Sequence, residues 1–391
     1  MRVLISGYYG FANAGDEALL SGMLRALERA GPVEPTVLSA DPEGTRRLHG
    51  VPALDRRAWG AIWRTLRERT DLFISGGGGL LQDRTSRRSA LYYLGMIALA
   101  QRAGVPVYLY GQGVGPLASR GLRLVARRVL SGVAGAGARD AASAGLLRAL
   151  GVPAENVTVT VDPAFALRPS DPAEKAALLE EFGIPWGRRP LLGIVWRSPY
   201  VERRRRPERA DGDPLRRAVV EAAAAFARAI DARTVVITLQ PGVDDAEGNA
   251  VAQALADAGG RVHRPAGAVD HRTLRTLVEA MDLNICVRYH GLVFSALGGV
   301  PAVALAYDAK VRHLAEELGL PSLSLTGGGK ANSAALTAAL TDALHGLWRE
   351  ASGISSRLRR RVGALRERAL SEAKRCLALG NAAPRRRNGP A

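Results

Sequence analysis

The chain has 391 residues, room for two domains of ordinary size, and its 47% hydrophobic content with Gly 44 and Pro 21 suits an α/β protein rich in short turns. Cys286 and Cys376 stand far apart without C-x-x-C spacing, which argues against a disulfide framework or a zinc site and for a reducing compartment. The formal charge of +17 points to phosphate-bearing partners or an anionic membrane surface, or to nothing beyond an arginine-biased composition. Lysine is confined to Lys175, Lys310, Lys330 and Lys374. No aromatic-and-basic stacking platform is visible, so nucleic acid is not expected.

The opening MRVLISGYYG holds an apolar run too short for a signal-peptide core. The most membrane-like stretch, Gly291 to Tyr307, falls short of a span and is interrupted by Gly298, Gly299 and Pro301. The expected location is cytoplasmic, with peripheral contact on the inner face of the membrane left open.

In chain order, Val3 to Ser6 reads as a first strand, followed by a glycine loop and a helix from about Asp16 to Ala30. Further strands are expected at Thr36 to Ser39, Leu72 to Ser75, Val105 to Tyr110 and Val157 to Val161, with helices at Ser86 to Ala103 and Leu122 to Ser131. A run such as VPVYLY suits a strand buried on both faces of a parallel sheet. The pattern changes between Asp162 and Pro190, and a second alternating series follows. Its strands are expected at Leu191–Val195, Thr234–Leu239, Leu283–Cys286 and Ala302–Ala306, and its helices at Pro214–Ile230, Asp245–Ala258, His271–Ala280 and Ala334–Trp348. The charged stretch from Ser198 to Asp213, with Arg203–Arg206 at its centre, reads as an excursion from the core. An Arg-rich amphipathic helix and a basic tail close the chain.

The fold class is therefore α/β, with two Rossmann-like doubly wound domains facing across a cleft. The expected division is 1–168, 169–350 and a C-terminal segment 351–391. Ligands in such folds bind at the carboxyl ends of the strands. Glycine-rich loops fall there: GYYGFANAGDE at 7–17, SGGGGLLQD at 75–83 and YGQGVGP at 110–116. The first opens a helix, so its N–H groups suit an anion, while Asn13, Gly15 and Asp16 suit a sugar hydroxyl; the plain alternative is a tight turn with a first-turn acid. It does not match G-x-G-x-x-G. In the second, Gly77 and Gly78 offer bare backbone and Gln82 and Asp83 offer polar groups, and all four are expected to bind the acceptor together with Asn13 and Gly15. Arg139 ends the small-residue run Val133–Ala138.

The densest cluster is CVRYHGLVFSALGGVPAVALAYDAK, residues 286–310. Arg288 and His290 leave one strand and Lys310 follows the next, so three cations could converge on an anion. His290, between an arginine and a helix start, has surroundings suited to a proton donor that responds to its substrate. The other histidines, His49, His263, His271, His313 and His345, read as polar or helical surface positions. There is no glycosidase-like carboxylate pair, D-x-D, H-E-x-x-H or Walker loop, so no metal is expected.

These residues carry a resemblance. SGYYGFANAGDEALL, ISGGGGLLQDRTSRRSALYYLGMIALA, YGQGVGPL, ARDAASAGLLRALGV, VTVDPAF and RYHGLVFSALGGVPAVALAYDAKV resemble, in order, the polysaccharide pyruvyl transferase family of the CsaB type. The resemblance implies a GT-B-like fold and phosphoenolpyruvate as co-substrate, with no further cofactor. It also implies a lipid-diphosphate-linked ManNAc–GlcNAc acceptor, whose pyruvylated polymer anchors surface-layer proteins. It carries over Arg139, His290 and Lys310 as donor-site residues, Arg288 as a helper, and the Asn13–Asp16 loop near the acceptor. On that basis His290 is expected to be the general acid and Asp16 to take a proton from the attacking hydroxyl. Tyr289 stands where relatives often have Leu or Met, and Cys286 where relatives with R-x-R-x-H have their first arginine. Two competitors stay open: a nucleotide-sugar glycosyltransferase of the same fold, and a non-catalytic protein that binds polyanions.

Overall fold

The computed structural model describes residues 1–84, 86–185, 187, 189–198, 213–265, 269–325 and 333–382. The Arg203–Arg206 loop and the basic tail from 383 lie outside the described residues. Packing divides the chain into two compact units, Met1–Leu167 with Ala364–Ala391, and Arg168–Gly363.

The strands of the first unit are β1 (Arg2–Ser6), β2 (Glu34–Ser39), β3 (Ala53–Asp55), β4 (Leu72–Ser75), β5 (Gly78–Leu81), β6 (Val107–Val114), β7 (Gly135–Ala138) and β8 (Val157–Val159). Its helices are α1 (Ala14–Ala30), α2 (Pro42–His49), α3 (Trp59–Arg69), α4 (Arg87–Arg102), α5 (Arg120–Leu130) and α6 (Ala141–Ala149). The sheet runs β3-β2-β1-β4-β6-β7-β8, with β5 pairing β6, and every pairing is parallel. Burial follows: all of β4 is enclosed, and Phe73, Tyr93, Ile97, Leu109 and Leu147 share one core cluster. Fully burying side chains of this size contributes about 1.5–3 kcal/mol each.

In the second unit the strands are β9 (Leu191–Trp196), β10 (Arg233–Thr238), β11 (Val262–His263), β12 (Leu283–Cys286), β13 (Ala302–Ala306) and β14 (Ser322–Ser324). Its helices are α7 (Pro172–Glu181), α8 (Pro214–Ala229), α9 (Asp245–Asp257), α10 (His271–Glu279), α11 (Tyr289–Gly298), α12 (Ala309–Leu318) and α13 (Ser333–Arg349). The order β11-β10-β9-β12-β13-β14 is again all parallel and reverses direction at β9, as in a Rossmann sheet. A last helix, α14 (Ala351–Ala382), belongs to the second unit up to Gly363 and to the first beyond it. Two Rossmann-like α/β units of this kind constitute a GT-B-like architecture.

Helix starts follow local chemistry. Asn13, Asp41, Ser86, Ser119, Asp140, Asp270 and Asp308 each accept a backbone N–H at the first turn, and Pro42, Pro172 and Pro214 occupy positions where a proline N–H is not missed.

Three expectations need correction. YGQGVGP is not a loop after a strand, because β6 continues through Val114, pairing with β5 and β7 on its two sides. SGGGGLLQD is not all loop either, since Gly78–Leu81 forms β5. The short β3, β11 and β14 and the helices α2 and α3 had no expected counterpart. His49 and His271 are not surface histidines: the His49 side chain is 1% exposed against Glu17, and His271 is 4% exposed.

Candidate active site

At the carboxyl edge of the second unit the strand register brings the expected cations together. Cys286 sits opposite Val195 of β9 on one side and Ala304 of β13 on the other. The residues that follow, Arg197, Arg288 with His290, and Tyr307 with Lys310, therefore leave three adjacent strand ends. Val287 donates its N–H to Val195 O at 3.0 Å, carrying the ladder one residue beyond β12. The helix begins at Tyr289, two residues before the expected start at Gly291, so Arg288 is its N-cap residue and His290 lies in its first turn.

Arg288 is buried and donates to the carboxylate of Asp244, at the start of α9, and Nη2 reaches Gln240 Oε1 at 3.5 Å. Burial pulls its guanidinium below the ordinary arginine value, Asp244 opposes that shift, and nearby Arg197 adds to it. His290 is half-buried, its ring edge-on to Tyr289 at 5.3 Å and tilted against Phe294 at 6.1 Å. Lys310 is in the first turn of α12; its Nζ lies 3.8 Å from Asp308 Oδ2, and its N–H bonds Asp308 Oδ1 at 3.3 Å. Cys286 faces the core instead: its Sγ lies 3.5 Å from Ser295 Oγ, and burial pushes the thiol up to about 12.

In the first unit the same edge gathers the other expected residues. Asn13 caps α1 by accepting from Gly15 N at 3.1 Å, and Asp16 is half-buried in the first turn. Gly78 has φ +91, where a side chain would be strained, and a Cβ built on it would lie 3.2 Å from Asp16 Oδ1, a tight contact that the Asp16 side chain would have to yield to. Gly77 is equally enclosed, between Leu19 and the carbonyls of Tyr110 and Gly111. Tyr9, fully buried beside them, has its phenol pushed up by burial and then by the Asp16 and Glu17 charges.

Gln82 and Asp83 are anchors of this edge. Gln82 Oε1 accepts from Arg84 N at 2.7 Å; Asp83 accepts from Ala118 N at 2.9 Å and Ser119 N at 2.7 Å. Burial works to raise the Asp83 carboxyl, but the amides of Ala118 and Ser119, together with the Arg87 charge, hold it below the ordinary value. Arg139 is buried and bridges to Asp162 at 3.3 Å, linking the ends of β7 and β8. A side chain on Gly113 would meet its guanidinium, which explains the second glycine of YGQGVGP.

Three partners of the expected site had not been singled out: Asp244, Asp162 and Asp308. Each acid closely follows a strand, and that position was the signal available in QPGVDD, TVDPAF and AYDAK. A carboxylate beside Arg139, Arg288 and Lys310 fixes each of these side chains while leaving further donors for a ligand. Among the described residues no group of three or more His, Cys, Asp or Glu side chains could hold a metal ion, and no helix is long and apolar enough to cross a membrane.

Solved structures match the fold across nearly the whole chain. Anabaena HepE in complex with UDP superposes with a TM-score of 0.63 at 14% identity, over 98% of this chain and 100% of that one. A glycosyltransferase from Rickettsia africae gives 0.61 at 11%, over 96% and 98%. UDP-GlcNAc 2-epimerase from Neisseria meningitidis bound to UDP-GlcNAc gives 0.59 at 12%, over 92% and 94%. At such identities the likeness establishes the fold alone. No curated protein matches the chain significantly. The sequence model of the polysaccharide pyruvyl transferase family matches residues 13–309, a span that takes in Asn13 to Asp16, the glycine-rich segments 75–83 and 110–116, and Arg288 with His290, and stops one residue short of Lys310; the chain is an enzyme belonging to that family.

Proposed function

We propose that the chain transfers the enolpyruvyl carbons of phosphoenolpyruvate onto two hydroxyls of an N-acetylmannosamine residue in a lipid-diphosphate-linked ManNAc–GlcNAc precursor, forming a pyruvate ketal and releasing phosphate. The observation that carries this reading is that Arg288 with His290, Lys310 and Arg197 follow three adjacent strand ends at one edge of the sheet. Such an edge suits a small anion bearing both phosphate and carboxylate. In the proposed reaction His290 gives a proton to the donor's methylene carbon, leaving an oxocarbenium-like centre. One sugar hydroxyl adds to that centre, the C–O bond to phosphate breaks, and the second hydroxyl closes the ring with loss of its proton. Arg139 and Lys310 hold the phosphate and carboxylate, Arg288 assists, and Asp16 receives the proton of the attacking hydroxyl. Asn13, Gly15, Gly77 and Gly78 form the acceptor-side loops, kept in shape by Gln82 and Asp83. The enzyme works on the cytoplasmic side, in peripheral contact with the anionic inner face of the membrane.

A nucleotide-sugar glycosyltransferase is the second reading. The ligands of the solved relatives, UDP and UDP-GlcNAc, favour it over the first. So does a cavity of about 260 Å³ at the ends of β10 and β11, lined by Thr238, Pro241, Asp245, Asn249, Arg264 and Leu274. One assay decides between the readings. The protein is incubated with phosphoenolpyruvate or UDP-sugars and a lipid-diphosphate ManNAc–GlcNAc acceptor, and phosphate release and product mass are followed. A pyruvyl mass gain supports the first reading, a hexose gain the second, and no pyruvyl gain with any acceptor refutes the first.

A further inference from the structure

A buried relay unused by that chemistry stands behind the first glycine loop. Glu17 is 3% exposed, and each of its carboxylate oxygens has a separate task. Oε1 accepts from the Gly10 backbone N–H at 2.8 Å, and Oε2 lies 2.9 Å from Nε2 of His49 in the last turn of α2. On the far side of the ring, Nδ1 lies 3.2 Å from Ser21 Oγ, one helical turn beyond Glu17 on α1. With Glu17 ionised, Nε2 carries the ring hydrogen, and Nδ1 of a neutral ring accepts from the Ser21 hydroxyl.

The loop so held is one that backbone preference alone would not keep. Gly10 has φ +77 and Ala12, a residue with a side chain, has φ +52. Gly10 packs so closely on Ser39 and Asp41 that a Cβ there would collide with both, and Tyr9 O is tied to Ala40 N at 3.0 Å. The loop ends in Asn13 and runs directly into Asp16, whose carboxylate lies beside Gly78. Glu17 thus turns inward to the relay while its chain neighbour Asp16 lies at the ligand-facing edge.

We propose that Glu17, His49 and Ser21 are positioning residues. They lock the Gly7–Asn13 loop in the conformation that receives the sugar acceptor, and take no part in proton transfer. This rests on the acceptor-side reading of Asn13 and Asp16 given above. The relay also predicts an unusual tolerance. In Glu17→Gln the carbonyl still accepts from Gly10, the amide donates to Nε2, and the ring changes tautomer to donate from Nδ1 to Ser21. The three bonds named are retained without a charge at position 17.

The test uses the full chain with phosphoenolpyruvate and the lipid-diphosphate acceptor, together with amide hydrogen exchange of the segment 7–13. His49→Phe and Glu17→Ala are expected to raise exchange in that segment and to raise the acceptor KM about tenfold or more, with the KM for phosphoenolpyruvate unchanged within about twofold. Glu17→Gln is expected to stay within about threefold of the parent in both readouts. Faster exchange with an unchanged acceptor KM would overturn the proposal by making the relay merely structural; so would a Glu17→Gln protein as impaired as Glu17→Ala. Asp16→Asn reports separately on the reading underneath. If it leaves kcat/KM for the acceptor unchanged while His49→Phe raises the acceptor KM, the relay stands and the role of Asp16 falls. If Asp16→Asn lowers kcat/KM for the acceptor while His49→Phe leaves the acceptor KM unchanged, the relay falls and the acceptor reading stands.

Discussion

Arg288 and Asp244 form a buried ion pair joining the end of β12 to the start of α9, with 8% and 1% of their side chains exposed. A buried pair of this kind adds little net stability compared with apolar residues, but removing one partner strands the other. Asp244→Ala is therefore expected to destabilise the protein by about 3–5 kcal/mol, seen as a lower urea midpoint with an unchanged slope. Replacing Arg288 by Met in the same protein should recover most of that loss without recovering pyruvyl transfer. A parental midpoint in Asp244→Ala alone would show that the pair does not hold this edge together.

Gly78 makes a sharper point about the four-glycine run. A side chain there must adopt φ +91 and approach Asp16, whereas Gly79 is exposed with nothing near it. Gly78→Ala should cost about 1–2 kcal/mol from backbone strain alone and lower kcat/KM for the acceptor, while Gly79→Ala should leave both near parental values. Equal effects from the two substitutions would mean that the run serves only as a flexible turn.

The ease of reading differed between parts of this chain for physical reasons. Leu72–Ser75, Leu283–Cys286 and Ala302–Ala306 were legible to the residue because a strand buried on both faces is a largely apolar run, Ser75 and Asn284 being its polar exceptions here. Gly78–Leu81 and the second half of β6 were not, since glycine is a poor marker of strand and their identity comes from neighbours distant in sequence. Arg288, His290 and Lys310 could be placed at neighbouring strand ends from spacing alone. The pairing of Arg288 with Asp244 could not, because the two are 44 residues apart and are brought together by the sheet, whereas Asp308 stands two residues before Lys310 in AYDAK. His49 was misread for the same reason: its partner Glu17 is 32 residues away, and in sequence it looks like any polar residue ending a short helix.

Arg139 tests the arginine fork itself. Its guanidinium is fixed by Asp162 at 3.3 Å, with Gly113 giving it room. Arg139→Lys keeps the charge but cannot present two parallel donors to an anion while staying bonded to Asp162. The expected result is a 10- to 100-fold fall in kcat/KM for phosphoenolpyruvate, about 1.4–2.7 kcal/mol of lost transition-state binding, with the thermal midpoint little changed. An unaltered kcat/KM would remove Arg139 from the donor site and leave it a structural partner of Asp162.

Glu372 gives the pH dependence its sign. It is 1% exposed on α14, accepts from Tyr108 Oη at 2.9 Å and from Arg375 at 2.8 Å, and lies so close to Gly137 that a side chain there would collide with it. Burial raises its carboxyl above the ordinary 4.5, with Arg375 and Tyr108 working the other way. A carboxyl that holds its proton more tightly when folded contributes its full stabilisation below the unfolded value. That contribution is lost as pH rises through the folded one. Glu279 in the second unit, raised by burial in the same sense, acts with it. Glu372→Gln keeps an acceptor for Tyr108 and cannot titrate. The thermal midpoint of the parent minus that of Glu372→Gln should therefore fall steadily as pH is raised from 4.5 and then level off. A difference that stays constant across that range, or grows in favour of the parent, would mean that the Arg375 pair outweighs burial and that Glu372 enters the folded protein already ionised.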